Sequence, residues 1–328
     1  MSRPKEQRIV LPRSPSIDRV AAFSQTILDT PDADSLTIET PNNLFYTPSA
    51  ALVISSCVRQ FTEQRRGACD IIFSNIDPTG YLSHIGFYQA LDVDIGKMPG
   101  EAQGGMSYIP ITEIKLAQFH FGADRQHVFD LIQKKSNDLA TLLIQKRHGT
   151  EFDQLSYCIR EILRNVADHS GAMSLWLCGQ YYPNLNVVEI AILDEGIGIR
   201  KSLSKNSNYK SISDSDALDL AIKAGVSGKA SPTDDEIRED PQGIWNQGYG
   251  LYVVSELCRR FGSFAILSGT ACLSIESRTW EPEGAEHTSE AKMKGTAIKI
   301  RIGLSKIHDW RGFLTELNPE KKRGPSLH

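Results

Sequence analysis

Four short stretches of this chain carry residue types that chemistry needs, at spacings that secondary structure can use. The first is Glu161-x-x-x-Asn165-x-x-Asp168-His169. On a helix, positions i, i+4, i+7 and i+8 share a face, so a carboxylate, a carboxamide and a further acid or imidazole project together. Alone, this spacing equally suits the solvated face of an amphipathic helix. The second is Asp194-Glu-Gly196-Ile-Gly198, directly after the apolar run from Val188 to Leu193. A carboxylate at the end of a buried strand is costly unless a partner engages it. The two glycines let the backbone come close to a planar ligand. The third, Gly248-Tyr-Gly250-Leu251, opens a helix, where free N–H groups and the helix dipole favour phosphate. The fourth is Gly295-Thr296, just before the last strand, which offers a hydroxyl to a ligand.

These stretches need elements to position them. Apolar residues Leu155, Ile159, Ile162, Leu163 and Val166 recur at helical spacing, which predicts a helix over 152–169 beneath the first motif. Strands are predicted over 174–178, 187–193 and 297–302, and a helix over 251–261. Residues 200–247 are rich in Ser, Asn, Asp and Gly, too long for an ordinary connection, and read as a lid with one helix over 214–224. Lys229 lies in that lid and reads either as a plain exposed lysine or as a phosphate contact.

In this order and these contexts the four motifs resemble those of the GHKL ATPases, which include gyrase B, MutL and the histidine kinases. Residues 161–168 resemble the N box, 194–198 the G1 box, 248–251 the G2 box, and Gly295 with Thr296 the G3 position. The resemblance covers about half the chain. It implies an α/β sandwich (the Bergerat fold), with a mostly antiparallel sheet, helices on one face, and ATP between helices and lid. It implies that Asn165 holds Mg²⁺, that Asp194 accepts the adenine amino group, and that Gly196 and Gly198 make room for the base. Gly248, Gly250 and Leu251 would give backbone to the phosphates, Thr296 would support the adenine end, and Glu161 would activate water. Asp168 matches the gyrase and MutL pattern, whereas His169 also fits the anti-sigma serine kinases. The resemblance therefore implies an ATP-binding regulatory protein that hydrolyses ATP slowly and switches a protein partner. A serine/threonine kinase of the anti-sigma type and a non-hydrolysing ATP sensor are its alternatives.

The rest of the chain bounds this reading. Its 328 residues suit two domains, and 40% apolar with 23% charged residues is ordinary for a soluble globular protein. A net charge of −4 gives no electrostatic footprint for nucleic acid. No apolar run has the length of a membrane span and the polar N-terminus lacks a signal-peptide core, so a cytoplasmic protein is expected. Six scattered cysteines, with no Cys-x-x-Cys pair, read as buried thiols rather than disulfides or a zinc site. Ahead of the motifs, strand, helix, strand and short helix over 35–91 read as a small α/β unit. That unit weakly resembles a STAS domain, with Thr47 and Ser49 at the start of its first helix as either helix caps or phosphoacceptors. The expected organisation is an arm (1–30), a STAS-like module (31–122), a linker helix (123–149), the GHKL domain (150–305) and a tail (306–328). A homodimer is compatible with this plan.

Overall fold

The strand Val187–Asp194 (VVEIAILD) is mostly apolar on both of its alternating faces, with Glu189 on one and Asp194 at the end of the other, so it must be covered on both sides. How the chain does so is seen in a computed structural model that describes residues 5–13, 17–41, 46–65, 68–96, 108–119, 125–228, 248–276, 286–288, 291–304 and 309–317. In chain order the main elements are β1 (Glu6–Val10), α1 (Ile17–Leu28), β2 (Ser35–Glu39), α2 (Pro48–Gln64), β3 (Asp70–Ser74), α3 (Tyr81–His84), β4 (Tyr108–Lys115), α4 (Arg125–Ile144), α5 (Thr150–Asn165), β5 (Ser174–Tyr182) and β6 (Val187–Asp194). They continue with α6 (Gly198–Leu203), α7 (Asp214–Ala221), α8 (Gly250–Phe261), β7 (Gly262–Gly269), β8 (Ala271–Glu276), β9 (Glu286–Thr288), β10 (Met293–Gly303) and α9 (Trp310–Leu317). The strands form a parallel sheet, β1-β2-β3, and a seven-stranded sheet in the order β4-β5-β6-β10-β7-β8-β9. All pairings in the larger sheet are antiparallel.

Period two divides the larger sheet's residues between two cores. Val188, Ile190 and Ile192 of β6, with Ile298, Ile300 and Ile302 of β10, pack beneath α4, α5 and α8. Ala191 and Leu193, with Cys178, Leu267, Cys272 and Ala297, face the other way, onto α1 and α2. The resemblance implies helices on one face only. Here both faces are covered, and small side chains on the second face let α2 lie close. Cys178 donates from Sγ to the Pro48 carbonyl at 3.0 Å, a measure of that approach.

Several boundaries differ from the sequence reading. Residues 6–10, read as part of an arm, form β1 and pair in parallel with β2. Tyr108–Lys115, placed in the N-terminal module, is the edge strand of the larger sheet, paired with β5. The helix read as a linker, α4, packs on α5 and buries Ile132, Leu139 and Leu143. Strands β7 and β8 and helices α6 and α9 were not expected; α9 lies in the stretch read as a tail and buries Phe313 and Leu317. Residues 229–247, the C-terminal part of the expected lid and Lys229 with it, lie outside the described residues. The six cysteines are buried and none forms a disulfide. Among the described residues no helix is long and apolar enough to cross a membrane.

Thr47 caps α2, accepting from Ala50 N at 3.3 Å, and Pro48 takes the first turn, where its missing N–H is harmless. Ser49 does something else. Its hydroxyl donates to Oε1 of Glu189 on β6 at 2.7 Å, and both side chains are buried.

Candidate functional site

Strand alternation puts Asp194 on the same face as Ile190 and Ile192, the face covered by α5 and α8, at the point where β6 ends. Register sets Thr296 of β10 directly beside Asp194, and Ser268 of β7 directly beside Thr296. A carboxylate and two hydroxyls thus form one row across three strands. Ser268 donates to the Gly295 carbonyl at 2.7 Å and accepts from Ile199 N at 3.1 Å, joining the bulge at the start of β10 to the start of α6. Ser268 escaped the sequence reading because the apolar run before it (Phe264 to Leu267) went unrecognised as a strand.

Asp194 is 3% exposed. Its Oδ1 accepts from Gly196 N at 2.9 Å. Burial pushes its carboxyl up to about 7, the neighbouring Glu195 adds to the shift, and the Gly196 N–H opposes it. The residue therefore changes charge near neutral pH. Gly196 makes a tight approach of its own: a Cβ there would stand 2.1 Å from the Ser170 carbonyl oxygen. Together with the Ile197 N–H bond to the same carbonyl, at 2.9 Å, this ties the loop after β6 to the end of the α5 segment. Gly196 does not line the cleft, so it shapes the loop and does not face the expected base.

Beyond Asn165 helix α5 widens into a π-turn, Val166–Ser170, a geometry found mostly as single turns at functional sites. It ends at Gly171, with φ 62°. Asn165, Asp168 and His169 all line one cleft, and Asp194, Gly198, Gly248, Gly250, Leu251 and Thr296 line the same one. So nine of the twelve residues singled out from the sequence converge. The first turn of α8 has no side-chain cap at Tyr249, which leaves the N–H groups of Gly250 and Leu251 for whatever enters. Arg164 is the one Lys or Arg on the wall of the cleft among the described residues.

Comparison of the chain with family models, with curated proteins and with solved structures finds no match. The geometry therefore has to carry the functional reading by itself.

Glu161 departs from its expected place. It is fully buried and absent from the cleft wall. Its Oε1 accepts from Arg160 Nε and Nη2 at 3.1 and 3.0 Å, and its Oε2 accepts from Arg164 Nη2 at 2.5 Å. A Cβ on Gly250 would lie 2.2 Å from that Oε2, so the start of α8 rests on this carboxylate. A carboxylate so engaged, fully buried and off the cleft wall, is not placed to take a proton from a water in the cleft. The side chain is held by Arg160 and Arg164 against the start of α8, and it does not join Asn165 on the cleft wall. What Glu161 does instead is fix Arg164 at the cleft wall.

Among the described residues no cluster of three or more His, Cys, Asp or Glu could hold a metal ion. A protein-built metal cage is absent there. Asn165 and Asp168, two oxygen donors on the cleft wall, fit a hard cation that takes its remaining ligands from phosphate and water.

Proposed function

We propose that this protein binds Mg·ATP in the cleft between β6, α5, α6 and α8, and that nucleotide occupancy switches a protein-binding surface. One observation carries the reading: four stretches separated by about 130 residues of sequence line a single cleft. They arrive with a buried carboxylate at one wall and an uncapped helix N-terminus at another. In this reading Asp194 accepts the adenine amino group, with Thr296 beside it. Gly248, Gly250 and Leu251 offer N–H groups to phosphate, and Asn165, with Asp168 nearby, holds the cation. The fold is then of the Bergerat type, with a STAS-like unit laid on the back of its sheet.

The burial of Glu161 favours nucleotide sensing over hydrolysis by a Glu161 base. Phosphotransfer of the anti-sigma type has His169 on the cleft wall in its favour, at the position that subfamily uses. Label transfer from radiolabelled ATP to protein, against release of free phosphate, distinguishes these outcomes.

Titration calorimetry of the purified chain with ATP and GTP, with Mg²⁺ or with EDTA, tests the core of the proposal. ATP is expected to bind and GTP to bind far more weakly, because GTP presents a carbonyl where adenine presents its amine. Asn165→Ala is expected to weaken Mg·ATP about tenfold while leaving metal-free ATP unchanged. Absence of heat with any nucleotide, from folded protein, would end the proposal.

A further inference from the structure

Helix α2 belongs to the N-terminal unit, yet it holds both the loop after β6 and the start of β10 at the Asp194 end of the cleft. Ser56, Arg59 and Gln60, at i, i+3 and i+4, share one face of it. Arg59 Nη2 donates to Glu195 Oε1 at 2.9 Å, and Ser56 Oγ donates to the same oxygen at 2.7 Å. Gln60 Nε2 donates to Ser56 Oγ at 3.0 Å and to the Lys294 carbonyl at 3.3 Å, while its Oε1 accepts from Lys294 N at 3.0 Å. The result is an unbroken hydrogen-bonded chain running from the residue after Asp194 to the residue before Gly295, by way of α2. The Arg59 guanidinium also lies over the Trp176 ring, 4.0 Å from its centroid, so its position is held from two sides.

We propose that Arg59 is a positioning residue of the nucleotide site, through which the N-terminal unit sets nucleotide affinity. The inference rests on the nucleotide reading given above. Arg59 touches no ligand; it acts by holding Glu195, and with it the backbone between Asp194 and Gly196. It also pairs with Glu195, whose charge disfavours ionisation of Asp194, so that loss of Arg59 would leave that charge unopposed. The charged or titratable residues that line the cleft together with Asp194 are Arg164, Asp168 and His169; from α6 and α8 the lining residues include Gly198, Ile199, Gly250 and Leu251. A ligand or partner that shifts α2 would move both segments together, and by linkage nucleotide would tighten the junction in return.

The test is adenosine and Mg·ATP affinity against pH for wild type, Arg59→Met, Arg59→Lys and Glu195→Gln, with circular dichroism as the check on folding. Arg59→Met should weaken both ligands about tenfold at pH 7 and move the midpoint of the pH profile upward. Glu195→Gln should move that midpoint downward, and Arg59→Lys, which keeps the charge, should stay near wild type. A simple loss of packing would not shift the two midpoints in opposite directions. If Arg59→Met does not fold, the downward shift in Glu195→Gln decides alone. Wild type that binds ATP, with unmoved midpoints and affinities in the folded variants, overturns this proposal and leaves the nucleotide reading standing. Wild type that binds no nucleotide overturns the reading itself.

Discussion

Asp194→Asn is expected to weaken adenine nucleotides by about 100-fold, roughly 2.8 kcal/mol, and at the same time to stabilise the empty protein at pH 8. The loss follows from donors and acceptors. In the wild type one carboxylate oxygen accepts from Gly196 N, leaving the other for an incoming amine. An asparagine can keep its oxygen on Gly196, and then its own NH₂ meets the adenine NH₂. Or it can turn its oxygen to the cleft, and then its NH₂ meets the Gly196 N–H. Either way two donors face each other in a buried place. Calorimetry checks the affinity; an unchanged Kd would remove Asp194 from the adenine end.

The gain in stability follows from the same burial. Asp194 ionises near pH 7 in the folded chain, against 3.8 ordinarily. Between these values the folded state keeps a proton that the unfolded state has released, so stability falls as pH rises through the window. Above about pH 7 the full penalty applies, of order 4 kcal/mol, and asparagine does not incur it. Melting curves at pH 5 and pH 8 should therefore show the variant's advantage growing with pH. An amine donated by a ligand offsets the same penalty, so ligand binding near pH 7 should release a proton. Adenosine, which has no phosphate to titrate, should bind about tenfold more weakly at pH 6 than at pH 8. A residue that costs the empty protein stability and repays it only with ligand bound is the signature of a binding group.

Much of this was legible beforehand because the signals were local. Helix α5 announces itself through apolar residues at helical spacing, and β6 through a run that is apolar except for Glu189. The carboxylate at the end of that run stood out because its burial is costly, and the structure places it in the cleft with Asn165. What stayed hidden depends on contacts distant in sequence. The run from Phe264 to Leu267 is four residues long, and periodicity cannot tell so short a run from part of a helix. Strand β1 has exposed residues alternating with half-buried ones and gains its place only by pairing with β2. The network from Gln60 to Glu195 spans about 135 residues of chain, and nothing near Arg59 in sequence hints at its acceptor.

Glu161 shows where spacing misleads. Helical periodicity states which Cβ atoms share a face, but not where a side chain goes when cations compete for it. Here one arginine next to it and another a turn later take both oxygens, and Gly250 closes over them. Glu161→Ala is accordingly expected to destabilise the folded protein by about 3 kcal/mol, because removing it takes the carboxylate from two largely buried arginines. The figure sits at the low end of the range for such losses, since Arg160 and Arg164 are 17% and 15% exposed and can reach some water. Phosphate affinity should fall as well, because Arg164 loses its tether at the cleft wall. Glu161→Gln, which preserves shape and one acceptor oxygen, should lie between wild type and alanine in both measurements. A water-activating base predicts the contrary: glutamine would leave the melting temperature and the ATP affinity intact and abolish turnover alone. Thermal melts beside single-turnover hydrolysis of the two variants therefore decide whether this carboxylate braces the site or acts in it.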